Sequence, residues 1–156
     1  MTDLSIPAIN DSLQGDKVFC KFISALETGE NPQGERSILV PPGSSSILFS
    51  PVHLSSHIQS RTIQIILQGE INSTAHFKWS IHNQRKQYSI HPDSDWQELL
   101  APEYTGALFI LISYANDHYK AYILNTDQEI EAFLGIHALT PAETNRNIIQ
   151  KELENN

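Results

Sequence analysis

The stretch INSTAHFKWSIHNQRKQYSIHP, residues 71–92, decides how this chain is read. Phe77 and Trp79 alternate with Lys78 and Ser80, the period-two pattern of a strand with one apolar and one basic face. Residues 83–87, NQRKQ, hold no apolar side chain and read as a loop or hairpin tip, after which Tyr88 resumes the strand as far as Pro92. The stretch carries Lys78, Arg85 and Lys86 and the histidines His76, His82 and His91, with no Asp or Glu. The whole chain has a formal net charge of -8, so this basic segment is a local exception. Such a segment is either an ordinary solvated hairpin or a surface that meets a polyanion, most simply nucleic acid.

Outward from this hairpin the pattern stays β. Residues 18–24, VFCKFIS, read as a strand, and residues 25–35 carry the turn chemistry of Thr28-Gly29, Asn31-Pro32 and Gly34. Residues 37–40 form a short strand closed by Pro41-Pro42-Gly43, and residues 46–49 read as another strand or one helical turn. Residues 62–68, TIQIILQ, are a strand. Residues 107–114, ALFILISY, are the most apolar run and the candidate for a central strand buried on both faces. Asn116-Asp117 turns that run into its hairpin partner, residues 119–124. Thr126 with Glu129 is a capping box that opens a helix through about Leu134, stopped at Gly135. Thr140 with Glu143, and Pro141 at the first helical position, predict a second helix to about Leu153. Residues 1–14 read as an irregular or short helical lead-in. Seven or eight short strands with only late helices give a mainly β fold with peripheral helices (α+β), barrel-like or Greek-key.

A chain of 156 residues, 40% hydrophobic, fits a single domain over 1–156. Its core is expected at about 17–137, with 138–156 as a C-terminal helix or an exit toward a linker. No apolar run approaches bilayer length and the N-terminus lacks the basic-then-apolar order of a signal peptide, so no membrane contact is expected. The single cysteine, Cys20, excludes an intrachain disulfide and a cysteine-based zinc site, and makes a cytoplasmic setting the default. A pI of 5.2 confines any nucleic-acid contact to a local site.

Catalytic constellations are absent from the sequence. A common nuclease centre needs an acidic residue two places before a lysine. The residues two before Lys17, Lys21, Lys78, Lys86, Lys120 and Lys151 are Gly15, Phe19, His76, Gln84, His118 and Ile149, none of them acidic. Asp93, Asp95, Glu98 and Glu103 then read as a solvated loop. There is no G-x-S-x-G, Walker loop or G-x-G-x-x-G. His53 and His57 have the spacing of a helical zinc pair but lack the intervening glutamate, and Pro51 with the nearby serines reads as a loop. No catalytic residue, metal or cofactor is expected.

Nucleic-acid contact survives these tests. Arginine bonds bidentately to guanine, and Asn or Gln to adenine, which are the side chains of residues 83–87. Lys78, Lys86 and the histidines suit phosphate, which positions without specifying sequence. A second polar loop, residues 25–36, offers Thr28, Asn31, Gln33 and Arg36 with glycines that let backbone amides approach phosphate. Its Glu27, Glu30 and Glu35 either accept from cytosine amino groups or are solvated. Stacking on single strands is the rival mode, but Phe77 and Trp79 alternate as core residues do.

The segment from Lys21 through Ser24-Ala25-Leu26-Glu27-Thr28-Gly29 to Gly34 and Pro41 resembles the start of the N-terminal effector-binding domain of EcoRII-type restriction endonucleases. Glu103-Tyr104-Thr105-Gly106-Ala107-Leu108 is similar to a later signature of that domain, and Thr126-Asp127-Gln128-Glu129-Ile130 to its following helix start. The resemblance spans roughly residues 18–137. It implies a seven- or eight-stranded open DNA-binding pseudobarrel, shared with a plant transcription-factor domain, that grips duplex DNA with two loop-bearing arms in the major groove. The first arm is then residues 21–36, with Ser24, Ala25, Thr28, Gly29 and Gly34 on matching positions. The second is residues 78–91, matching in length and basic character. The DNA-binding residues so implied are Lys21, Ser24, Thr28, Gly29, Asn31, Gln33 and Arg36 on the first arm. On the second they are Lys78, His82, Asn83, Gln84, Arg85, Lys86, Gln87 and Tyr88. The resemblance further implies no nuclease centre in this chain. The partners it implies are a short specific site on double-stranded DNA and a nuclease catalytic domain in the same or a partner chain. A freestanding DNA-binding regulator of the same fold is the alternative. A small-molecule enzyme in a β-barrel mouth is a third reading, which no motif supports.

Overall fold

The computed structural model describes residues 3–144 and 148–150. Eight strands make one sheet: β1 (Lys17–Phe22), β2 (Ile38–Val40), β3 (Ser60–Leu67), β4 (Ile71–His82), β5 (Arg85–Pro92), β6 (Leu108–Tyr114), β7 (His118–Leu124) and β8 (Ile148–Gln150). They lie in the order β2-β5-β4-β3-β7-β6-β1-β8, antiparallel throughout except where β3 meets β7. The end strands β2 and β8 do not pair with each other, so the sheet is open. Its inner face closes around one core: Phe19, Val40, Ile65, Phe77, Ile90, Phe109 and Tyr119, from seven different strands, belong to a single buried cluster. Phe77 meets Tyr119 edge-on across it at 5.1 Å between ring centroids. A sheet with edges that stay apart but an inner face that fills one core is the expected open pseudobarrel.

A second, smaller cluster lies outside the sheet. Val18, Cys20, Leu108, Ile110, Ile112, Tyr122 and Leu124 point outward from β1, β6 and β7, and are covered by Ala8 of α1 (Ser5–Gln14) and Phe133 and Leu134 of α4 (Asp127–Ile136). This explains why residues 108–113 read as continuously apolar: β6 is buried on both faces. Asp11 pins α1 to this face, accepting from Lys120 Nζ at 3.2 Å and from the Tyr122 hydroxyl, while its backbone carbonyl accepts from Tyr114 Oη at 2.9 Å. The α4 cap forms as expected, Thr126 Oγ1 accepting from Glu129 N, but the helix runs through Gly135 to Ile136. Leu4 N donates to Glu129 Oε2 at 2.7 Å, tying the start of α1 to the same cap.

The expected lead-in is a ten-residue helix, α1. It packs through Ser5, Ala8 and Ser12 and leaves Ile6 and Leu13 exposed, so its buried stripe has no hydrophobic period to read. The C-terminal segment departs from expectation in the other direction. The helix begun at Pro141 is described over Pro141–Thr144 (α5), and Ile148–Gln150 forms β8 against Lys17–Phe19. The rest of the predicted helix, 145–147 and 151–153, lies outside the described residues. Ile148-Ile149 is β-branched, and β1 would otherwise present an unpaired edge, so strand addition wins over a modest capping signal. Of the two readings of residues 46–49, the helical turn holds in part: Ser46 and Ile47 end a 3-10 helix, Pro42–Ile47, with Leu48 as its C-cap. It leads into α2 (Pro51–Ser55). Among the described residues no helix is long and apolar enough to cross a membrane.

Candidate nucleic-acid interface

With α1 and α4 on the outside of β1, β6 and β7, the outer face of β3, β4 and β5 is left bare. The pairing of β4 with β5 sets what that face carries. His76 lies across from His91, Lys78 from Ser89, Ser80 from Gln87 and His82 from Arg85, all on the outer side of the ribbon. Ala75, Phe77 and Trp79 alternate with them and are buried. Trp79, paired with Tyr88, is the last buried rung: its Nε1 donates to Ile58 O at 2.8 Å. Three further rungs, Ser80–Gln87, Ile81–Lys86 and His82–Arg85, are exposed on both sides. At about 3.4 Å per residue they carry the tip about 10 Å beyond the core.

The tip is tighter than the sequence implies. Residues 83–87, read as a loop or hairpin tip, form a hairpin tip whose turn is Asn83-Gln84 alone, at φ 51° and 66°, with β5 beginning at Arg85. Two residues in the left-handed region make the hairpin turn whose twist matches its strands. Arg85, Lys86 and Gln87 therefore project from a regular ribbon. Arg85 and Gln87 share one side, and Lys86 lies on the other with its ammonium 4.6 Å from the centre of the Trp79 ring. Tyr88, placed by the resemblance among DNA-binding residues, is a core residue instead, 5% exposed and packed on Phe49.

The loop of the first arm is built around a buried carboxylate. Glu27, 1% exposed, accepts from Lys21 Nζ at 2.7 Å, Ser24 N at 2.8 Å, Ser24 Oγ at 3.0 Å and Leu39 N at 2.7 Å. It thereby joins the end of β1, the loop and β2. Neither expectation for Glu27, cytosine contact or solvation, holds: all its acceptor capacity is spent inside. Lys21 is consumed by the same pair and by Leu39 O. Thr28 is also interior, 1% exposed, donating to Ala25 O and bonded to Thr105 Oγ1. Asn31 staples the loop, its Nδ2 donating to Leu26 O and Glu35 O while its Oδ1 accepts from the backbone of Gln33 and Glu35. Gly29 and Gly34 take the positive φ, 101° and 66°, that this winding requires. Arg36 Nη1 donates to Gln97 O at 3.1 Å. Ser24 and Gln33 remain exposed, as does Leu26. Most of the residues implied on this arm thus shape the loop from within.

Because β2 runs antiparallel to β5, this loop stands at the Pro92 end of the ribbon, opposite the tip. Glu35 Oε1 reaches the outer face there, 3.0 Å from His91 Nδ1, and Asp93 Oδ1 lies 3.7 Å from His76 Nε2. His91 Nε2 is 2.8 Å from Ser89 Oγ and His76 Nδ1 3.1 Å from Thr62 Oγ1. Burial, opposed by Glu35 and reinforced by Lys78 and His76, holds the His91 pKa below the usual imidazole value. From His91 to Arg85 is six residues of strand, about 20 Å. The bare face is therefore a floor with the first loop at one end and the projecting hairpin at the other.

Among the described residues the cations of the β4–β5 ribbon lack acidic partners, as do Lys17 and Arg36. Among the described residues Lys21, Arg61 and Lys120 are bound to Glu27, Asp117 and Asp11. Lys78, Arg85 and Lys86 have no such ion pair, and all three belong to the β4–β5 ribbon. The histidine pair His76–His91 was within reach of sequence reading: the two are equidistant from the centre of the Asn83-Gln84 turn. Glu35 and Asp93 gave no comparable signal. The i, i+4 histidines do not converge: His53 Nδ1 accepts from Ser50 N at 3.0 Å, within the α2 cap, and His57 follows the helix at φ 57°. Among the described residues no group of three or more His, Cys, Asp or Glu is placed to hold a metal ion.

No protein-family model matches the chain. No curated protein matches it. Among solved structures it is similar to the B3 domain of the UbaLAI restriction endonuclease, crystallised with cognate DNA. The TM-score is 0.50 and the identity 13%, over 95% of this chain and 98% of that one. At that identity the likeness is one of fold, and the chain has the fold of a B3-like pseudobarrel, as the resemblance at its first arm implied.

Proposed function

We propose that this chain is a sequence-specific double-stranded DNA-binding module, the effector- or target-recognition domain of a type II restriction endonuclease, with no nuclease centre of its own. The observation that carries this reading is the acid-free β4–β5 hairpin, which lifts unpaired cations and amides about 10 Å past the core on a face that no helix covers. A B-DNA major groove is about 8.5 Å deep and about 12 Å wide, enough to admit a two-stranded ribbon of this reach. Arg85 and Gln87, side by side on one side of the tip, have the donor sets that read guanine and adenine edges. Lys78 lies farther down the floor, where a phosphate strand would pass. Gln33 supplies an exposed polar contact on the opposing loop, while the Ser24 donors are held by Glu27. The fold neighbour is the B3 domain of a restriction endonuclease, with cognate DNA, which is the ground for reading a partner nuclease domain in the same or another chain.

The test is a pair of substitutions read on cognate and random duplexes. Arg85→Ala is expected to cost about 1–3 kcal/mol of discrimination at one base position. Lys78→Ala is expected to weaken all sequences alike and lower the salt slope by about one. An equal loss for Arg85→Ala on random and selected DNA removes its base-reading role.

A further inference from the structure

We propose that Glu35 and Asp93 act as built-in phosphate mimics on the floor, so that duplex binding is coupled to proton uptake by His91. The inference rests on the DNA-binding reading and adds a regulatory device to the same site. Two carboxylates from outside the ribbon, one from the first loop and one from the residue after β5, are laid against the two histidines of a single cross-strand pair. Both carboxylates are about half exposed, 54% for Glu35 and 50% for Asp93, while the imidazoles beneath are 23% and 37% exposed. The anions are thus the more exposed members of each pair, open to a phosphate strand crossing the floor.

The groups that face His91 are Glu35 from the loop, His76 and Lys78 from β4 and Ser89 from its own strand. Those that face His76 are Asp93, Thr62 from β3, and His91. In the free protein His91 Nδ1 contacts Glu35, while Nε2 lies 2.8 Å from the Ser89 hydroxyl, which can accept from or donate to it. A phosphate brought against Lys78 and the histidines adds negative charge without adding a cation, which favours the imidazolium. The sign follows. The His91 pKa in the complex lies above that in the free protein, so a proton is taken up on binding. Affinity rises as pH falls through the bound-state pKa and levels off below the free-state one. Removing the carboxylate charge at neutral pH also favours DNA, because Glu35 then no longer repels the incoming strand.

The experiment is fluorescence anisotropy of a labelled short duplex with the whole chain, between about pH 8 and pH 6. Wild type is expected to bind roughly tenfold tighter at the lower pH, the response of about half a proton taken up on average over that range. The His76→Gln, His91→Gln double variant is expected to lose most of that dependence. Glu35→Gln is expected to bind severalfold tighter than wild type at the upper pH. Histidine ring signals followed by NMR, with and without duplex, give a readout independent of any substitution: His91 should titrate at higher pH in the complex. An unchanged pH dependence in the double variant, or a His91 titration that the duplex does not move, overturns the inference while leaving DNA binding intact. No binding of the duplex at any pH overturns the DNA reading itself.

Discussion

Replacing Glu27 by alanine tests whether the first loop is held from inside. Glu27 is 1% exposed and its partner Lys21 14%, so the pair is shielded from solvent screening. Alanine would strand the Lys21 ammonium with only Leu39 O, and leave the Ser24 and Leu39 amides without their acceptor. Breaking a buried pair by removing one partner costs about 3–5 kcal/mol. Each stranded buried amide would add about 1–3 kcal/mol. These costs overlap, because a loop that opens lets water reach all three groups, so the expected loss is about 3–5 kcal/mol. That is a large share of the roughly 5–15 kcal/mol that holds a domain of this kind together. Urea unfolding followed by circular dichroism reads it as a lower midpoint at unchanged slope. Adding Lys21→Ala to Glu27→Ala should restore part of the loss, since the uncompensated charge goes with it. A loss under about 1 kcal/mol for the single variant is the behaviour of a surface ion pair and would refute the buried-clamp account.

Two further outcomes follow from the geometry. Gln84 sits at φ 66° in the hairpin turn, so Gln84→Gly should raise stability by up to about 1 kcal/mol, seen as a higher urea midpoint. Cys20 is buried and burial pushes its thiol up to about 12, so a thiol reagent at neutral pH should label it only as fast as the chain unfolds. Rapid labelling under native conditions contradicts that placement.

Where the sequence was readable, its signal was alternation or apolar run. Phe77 and Trp79 revealed the inward side of β4, and the run through β6 revealed a strand buried on both faces. Asn116-Asp117 turned as expected, at φ 64° and 59°. Where the pattern failed, the cause lies in what the element packs against. The hairpin tip leaves the core, so Arg85 to Gln87 carry no apolar alternation although they are strand. α1 buries serines and an alanine, and β8 forms within the span that the capping signal assigned to a helix. At the site, the basic side chains of the second arm were visible as an acid-free run. The first arm was legible in its turns but not in its roles. Lys21, Glu27, Thr28 and Asn31 are polar residues that look available in sequence, and only tertiary contacts reveal that they are spent inside the loop. Sequence proximity also could not disclose that Glu35 reaches across to His91.

The most direct test of the central proposal is selection of duplexes from a randomised library by the purified chain, followed by affinity measurement at moderate salt. The account predicts one short enriched site, bound about a thousandfold or more tighter than random DNA, with the preference reduced by Arg85→Ala. Failure of any duplex to bind better than random sequence would contradict it.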